Sequence, residues 1–280
     1  MKMPAPDRPA LTDRPALLRQ RDRAIRQGFA DVLHRIAADE IQDRLSEVNR
    51  RFTAPAVVTG FPGPWAEAFP DARIVPDDPV LDLEPGAHDL VIHAMALHWA
   101  EDPVGQIVQC ARALREDGLF IAACFGGQTL QELRAALAQA EAEVTGGLSP
   151  RILPMGEIRD MGQLLSRAGL ALPVADVLTQ KASYRDLLHL ARDLRAMGEG
   201  NAMAARLRRP TRRDIFAHAG AIMASHHADR DDPSRIAVTF DLVFLTGWAP
   251  SDTQPRPLRP GSAMTRLEDA LKELRTKKTS

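Results

Sequence analysis

Three histidines at intervals of five, His88, His93 and His98, are the first residues in this chain whose type and spacing suggest chemistry. A shared metal needs its imidazoles on one face, and a period of five puts successive side chains on one face of neither a helix nor a strand. A three-histidine metal site is therefore not expected. His93, and His98 with Trp99 beside it, stand near the carboxyl end of an apolar run and are expected to line a pocket there. The run Gly60-Phe61-Pro62-Gly63-Pro64-Trp65 follows another apolar stretch. A loop that cradles a nucleotide needs closely spaced glycines and free amides. Pro62 and Pro64 remove two donors and fix two φ angles, so as a cradle this loop is altered. Asp77 and Asp78 precede Pro79 and read either as ribose-binding carboxylates or as turn residues. His226 and His227 read as a helix end. With no G-x-S-x-G elbow, H-E-x-x-H pair or P-loop, hydrolase, zincin and NTPase chemistries have no support.

The elements that must position these residues are short and varied. Residues 17–51 contain no proline, and Ile25, Phe29, Leu33, Ile36, Ile41, Leu45 and Val48 recur at helical spacing, which predicts one or two amphipathic helices. After Pro55 come β-branched runs, Ala56-Val57-Val58-Thr59, Ile74-Val75 and Asp89-Leu90-Val91-Ile92, the pattern of buried parallel strands. Residues 103–115 form a helix with Pro103 in its first turn, and a strand restarts at Gly118, completing a βαβ unit. Helices are expected over 129–144 and 155–168, a strand over 174–179, helices over 184–197 and 212–227, and a strand over 236–248. A proline-rich stretch from Ala249 to Gly261 precedes a last short helix over 266–277.

In open α/β sheets the ligand lies beyond the carboxyl ends of the strands, so the loops after Thr59, Val75, His93 and Phe125 are where the site should form. A standard nucleotide-binding layout needs roughly 46 residues between its first and fourth strands. Only about 28 separate Thr59 from His88, so at least one strand-helix unit is missing.

Bulk properties narrow the function further. With 280 residues, 45% of them hydrophobic, the chain can bury a full core. A formal charge of -1 offers no global attraction for nucleic acid. Cys110 and Cys124 are too few for a zinc knuckle or a disulfide framework, which fits a reducing cytoplasm. No apolar run approaches the ~18 residues of a membrane span, and residues 1–9 lack a signal-peptide core, so a soluble, untargeted, cytoplasmic protein is expected. The arginine-rich stretch 14–26 is interrupted by Asp22 and reads as a solvated helix face rather than a transit peptide.

The segment Asp89-Leu90-Val91-Ile92-His93-Ala94-Met95-Ala96-Leu97-His98-Trp99, followed by Leu114-Arg115-Glu116-Asp117-Gly118-Leu119-Phe120, resembles class I S-adenosylmethionine-dependent methyltransferases. A wider set is similar to one branch of that superfamily, the mitochondrial complex I assembly factor of methyltransferase fold and its bacterial relatives. It comprises Phe125-Gly126-Gly127-Gln128-Thr129, Gly147-Leu148-Ser149-Pro150-Arg151, Met197-Gly198-Glu199-Gly200-Asn201 and Arg256-Pro257-Leu258-Arg259-Pro260-Gly261-Ser262-Ala263. The similarity runs from about Asp13 to Ala263. It implies a Rossmann-like α/β fold of seven strands with a helical insertion before the last. It also implies S-adenosylmethionine as cofactor, and a role in maturing an NADH dehydrogenase subunit, described for the family as arginine hydroxylation. Together with the missing unit it divides the chain into a helical lead-in (1–52), an α/β core with a shortened sheet (53–182), the insertion (183–230), the last strand (231–250) and a tail (251–280).

The departures fall where the cofactor would bind. The family's Asp-x-Gly-x-Gly loop is replaced by Thr59-Gly60-Phe61-Pro62-Gly63, so cofactor contacts carry over only to Gly60, Gly63, Asp77 and His93, with His98 and Trp99 lining the pocket. Two functions follow. One is an enzyme, a methyltransferase or arginine hydroxylase; methyl transfer needs chiefly proximity and no acid-base pair. The other is an assembly or binding protein whose cofactor site has degenerated while its partner-facing surfaces persist.

Overall fold

The computed structural model describes residues 10–254. The chain divides into two units, Met1–Pro250 and Ser251–Ser280. Of the second only its start is described, a turn in which Gln254 Oε1 accepts from the Ser251 amide at 3.3 Å. The helix expected over 266–277 and the motif 256–263 lie outside the described residues.

The first unit is built on a six-stranded sheet: β1 (Pro55–Thr59), β2 (Arg73–Val75), β3 (His88–Ala94), β4 (Leu114–Gly126), β5 (Ala171–Tyr184) and β6 (Ile236–Trp248). The order is β2-β1-β3-β4-β6-β5. The first four strands are mutually parallel, and β6 runs antiparallel to both β4 and β5. This is the shortened sheet that the spacing requires. Between β1 and β3 only a seven-residue helix α3 (Pro62–Ala68) and the three-residue β2 intervene.

Alternation along the strands sorts the core into two layers. Val57, Ile92 and Ile121 meet α2 (Val32–Glu47) and α5 (Gln131–Thr145) on one face. Ala56, Val91 and Phe120 meet α4 (Pro103–Ala113) and α6 (Ile158–Arg167) on the other. The helices α7 (Leu187–Ala196) and α8 (Arg213–His226) stand between β5 and β6 in the chain and pack on the α5 side. A third cluster joins α1 (Arg14–Gln27), through Ala16 and Leu17, to Trp99, Leu153, Ala202 and Met203. Caps fix the helix starts: Asp13, Asp102 and Asp186 accept from the amides of Ala16, Gly105 and His189 at 3.0, 2.8 and 2.7 Å.

Four expectations change. The run from Gly60 to Trp65 is not all loop, because Pro62 and Pro64 fall in the first turn of α3, where a missing N–H costs nothing. The strand expected over 174–179 extends across all fourteen residues of β5; as an edge strand it is largely solvated and so shows little apolar patterning. The arginine stretch is not wholly solvated, since Arg21 is only 4% exposed. Asp77, readable as a turn residue, is buried. No helix among the described residues is long and apolar enough to cross a membrane.

Candidate functional site

The carboxyl ends of β1, β2 and β3 converge as the sequence requires, and each delivers one candidate residue. β1 ends at Thr59, whose Oγ1 accepts from the Phe61 amide at 3.2 Å. Gly60 follows, and with Arg21 in place a Cβ there would lie 2.2 Å from Arg21 Nη1 and 2.3 Å from Arg21 Cζ, so a side chain would displace the guanidinium. The guanidinium that α1 sends down thus lies directly against the Gly60 backbone. Phe61 closes the same corner, stacked on Phe29 with centroids 4.0 Å apart and facing Arg21 at 5.7 Å. Gly63 stands in open space within α3, away from this contact.

Two residues beyond β2, Asp77 accepts from Arg21 Nη1 at 2.6 Å and from Arg14 Nη1 and Nη2 at 3.0 and 3.1 Å. Arg14 also reaches Asp78 at 3.0 Å. Burial pushes the Asp77 carboxyl up, but the two guanidinium groups more than offset it and hold the group ionised below its ordinary range. At the end of β3, His93 is fully buried, which lowers its pKa and keeps it neutral. Its Nε2 lies 3.1 Å from Gln106 Oε1, an acceptor, so Nε2 carries the proton; Nδ1 has no protein partner. Arg21 therefore meets both Gly60 and Asp77, while His93 pairs with Gln106.

Past β3 the chain turns through Met95 at φ 51 into a 3₁₀ turn, Leu97–Trp99. This presents His98 and Trp99 to a second site. Glu199 Oε2 accepts from Trp99 Nε1 at 2.8 Å and lies 3.3 Å from His98 Nε2. Its side chain is 12% exposed. Burial raises the Glu199 pKa, and His98, the Trp99 hydrogen bond and the charge of Arg21 lower it further than that, leaving a carboxylate. Glu199 is held by the tight segment 197–201. Gly198 adopts φ +77 and a Cβ there would sit 2.4 Å from the Phe61 ring, so only glycine fits. Glu199 and His98 form one polar edge of a cavity of ≈ 160 Å³ whose lining also includes Thr129, Asn201 and the two cations Arg151 and Arg195, with apolar walls from side chains such as Phe125, Leu130, Leu187, Leu194 and Phe240. Among the described residues no group of three or more His, Cys, Asp or Glu side chains is arranged to hold a metal.

Arg151 anchors another wall of this cavity. It donates to Glu141 at 2.9 Å through Nε and 2.5 Å through Nη2, and Ser149 Oγ adds a bond at 2.7 Å. The Arg151 bond, opposed by burial and helped by Ser149, holds the Glu141 pKa down to about 2. A depressed carboxylate contributes stability above its ordinary pKa and loses it as the pH falls toward the folded value. Glu141→Gln is therefore expected to cost about 2 kcal/mol at neutral pH. The difference from the unsubstituted chain should shrink steadily from about pH 5 downward, measured by urea unfolding across a pH series.

Sequence reasoning did not single out Arg14, Arg21 or Glu199. A signal for the arginines was present: Arg14, Leu17, Arg21 and Ala24 share one stripe of α1. For Glu199 the signal was an acid flanked by Gly198 and Gly200.

No family model matches the chain. Arginine-hydroxylase NDUFAF5, mitochondrial, from Dictyostelium discoideum is 38% identical over 187 residues, 67% of this chain and 42% of that protein. Malonyl-[acyl-carrier protein] O-methyltransferase from Laribacter hongkongensis (strain HLHK9) is 34% identical over 190 residues, 68% of this chain and 61% of that protein. The chain thus spans less than two thirds of either relative's length. Among solved structures, the YcgJ protein from Bacillus subtilis shares the fold, with a TM-score of 0.50 at 11% identity over 77% of this chain and 99% of that one. By these likenesses and its Rossmann-like sheet, the chain belongs to the class I methyltransferase superfamily, in the branch of arginine-hydroxylase NDUFAF5.

Proposed function

We infer that this chain is a methyltransferase-fold binding protein that assists assembly of an NADH dehydrogenase, and that its cofactor cleft is closed to S-adenosylmethionine. The observation that carries the reading is Arg21, whose guanidinium fills the space against Gly60 and engages Asp77. With α1 seated, the residues do not fit that cofactor. The backbone it would approach is covered, the acid it would use is paired twice, and two residues of the first turn of α3 are prolines that offer no N–H. Isothermal titration is expected to give no heat with millimolar S-adenosylmethionine; micromolar binding would overturn the reading.

A site separate from the Arg21–Gly60 corner is the cavity at Glu199. The branch's relatives are named arginine-hydroxylases, and an arginine side chain suits both its apolar walls and its carboxylate, with an aliphatic stem and a cationic head. In this division of labour the lead-in 1–52 closes the cofactor cleft, the core 53–182 and last strand 231–250 carry the sheet, the insertion 183–230 walls the partner site, and 251–280 is a tail. The partner is an NADH dehydrogenase subunit. The compartment we propose is the cytoplasm, while the NDUFAF5 relatives are named mitochondrial. The second reading, an active S-adenosylmethionine-dependent methyltransferase or arginine-modifying enzyme, draws on the likeness to the malonyl-[acyl-carrier protein] O-methyltransferase. The same titration separates the two.

A further inference from the structure

The cleft at Gly60 is closed by a side chain rather than by the fold, and that distinction has a chemical consequence. α1 contributes no strand to the sheet, and its start is fastened both to the turn after β3, where Glu101 Oε2 accepts from the Leu11 and Thr12 amides at 2.9 and 3.1 Å and Thr12 Oγ1 donates to Trp99 O at 2.9 Å, and to the segment that follows α7. The Asp13 amide donates to Ala202 O at 2.8 Å and the Ala204 amide to Leu11 O at 2.9 Å, with an antiparallel bridge between Thr12 and Met203. Arg206 pairs with Asp13 at 2.9 Å. At the far end of α1, the Ala30 amide donates to Ala196 O at 3.0 Å. The helix is thus held at both ends, and Arg21 reaches Asp77 from its middle.

Arg21 is the group that fills the space. Its three nearest atoms lie 2.2, 2.3 and 2.7 Å from where a Cβ at Gly60 would be, with Asp77 at 2.6 Å and the Phe61 ring at 5.7 Å. A ligand approaching the backbone at the end of β1 would need this volume, so guanidinium and ligand exclude one another. Behind Arg21 the surroundings are those of a binding surface. Gly60 has a bare backbone, Asp77 is a carboxylate, and the Phe61 ring flanks them. Removing Arg21 alone does not strand Asp77, because Arg14 still pairs with it through two nitrogens.

We propose that α1 is a tethered occupant of the cofactor cleft and that Arg21 is the residue that excludes S-adenosylmethionine from it. Withdrawal of that one side chain uncovers the Gly60 backbone and frees one of the Asp77 pairings, leaving Arg14 on Asp77. The inference rests on the closed-cleft reading above and adds that the closure is local, made by one side chain. The prolines of α3 limit the recovered affinity, since they withhold two backbone donors.

The test is calorimetric titration of S-adenosylmethionine into the full chain and two variants. Arg21→Ala is expected to bind with a dissociation constant of about 100 µM, where the unsubstituted chain gives no heat at millimolar ligand. Arg21→Lys keeps a charge for Asp77 but not the planar group against Gly60. It is expected to bind roughly tenfold more weakly than Arg21→Ala, and it serves as the test if Arg21→Ala does not fold by circular dichroism. A folded variant that gives no heat, like the unsubstituted chain, overturns the occupant proposal and leaves the closed-cleft reading standing. Micromolar binding by the unsubstituted chain overturns both.

Discussion

Asp77→Asn is expected to destabilise the fold by about 3–5 kcal/mol, the cost of breaking a buried ion pair by removing one partner. In a protein of this size that is a fall in Tm of roughly 10 °C. Asparagine keeps the shape and one acceptor but removes the charge. Arg21, with a side chain 5% exposed, would then be a buried cation whose nearest carboxylate is gone. Arg14 is 25% exposed and can turn to water or to Asp78, so most of the loss falls on Arg21. The diagnostic is a second substitution. Arg21→Met in the Asp77→Asn background removes the stranded charge while keeping the packing stem, and it should recover more than half of the loss, a coupling that a double-mutant cycle measures. A loss below about 1 kcal/mol would mean that water reaches the guanidinium and that it does not plug the cleft. The pH dependence has a definite sign. Asp77 is held below its ordinary pKa, so its contribution is complete above about pH 4 and disappears as the pH falls further. The acid limb of stability should flatten in Asp77→Asn.

The parts of this molecule that are legible in sequence are those whose signal is local. The run Asp89-Leu90-Val91-Ile92 reads as a strand because helices cover both faces of β3, so every position of it is buried and no alternation is needed. The missing strand-helix unit is legible because chain length is itself a constraint: the residues between Thr59 and His88 suffice for α3 and β2 and for nothing larger. The closure of the cleft is not legible in the same way. Arg21 and Asp77 are 56 residues apart, Trp99 and Glu199 are 100 apart, and a charged residue acquires its burial only when such a partner arrives. Without the fold, an arginine within a basic stretch has the composition of a solvated face. Pro62 and Pro64 illustrate a different difficulty, since the residue type that breaks a loop's hydrogen bonding is also the one that starts a helix. The two sites are also physically joined. Arg21 contributes to holding Glu199 ionised, and Gly198 packs on Phe61, so the wall of the apolar cavity and the plug of the cofactor cleft share a boundary.

That boundary makes Glu199 the position where substitution should most affect recognition of a partner. Glu199→Gln is expected to weaken binding of a capped peptide with one central arginine by about 10–100-fold, the range for losing a hydrogen bond to a charged group. Glutamine retains an oxygen for Trp99 Nε1, which donates to Glu199 at 2.8 Å, so the 3₁₀ turn has no cause to move. What disappears is the negative charge that would have to hold a bound cation against Arg151 and Arg195 in the same cavity. A peptide with citrulline in place of arginine separates charge from shape, because the two side chains differ little in size and citrulline is neutral. The unsubstituted chain should prefer arginine over citrulline by a margin that Glu199→Gln abolishes, both read by fluorescence titration of the labelled peptides. Equal affinity for the two peptides in the unsubstituted chain would rule out the carboxylate as the recognition element. The cavity would then select its ligand by apolar contact alone, and Glu199 would serve only to orient His98 and Trp99.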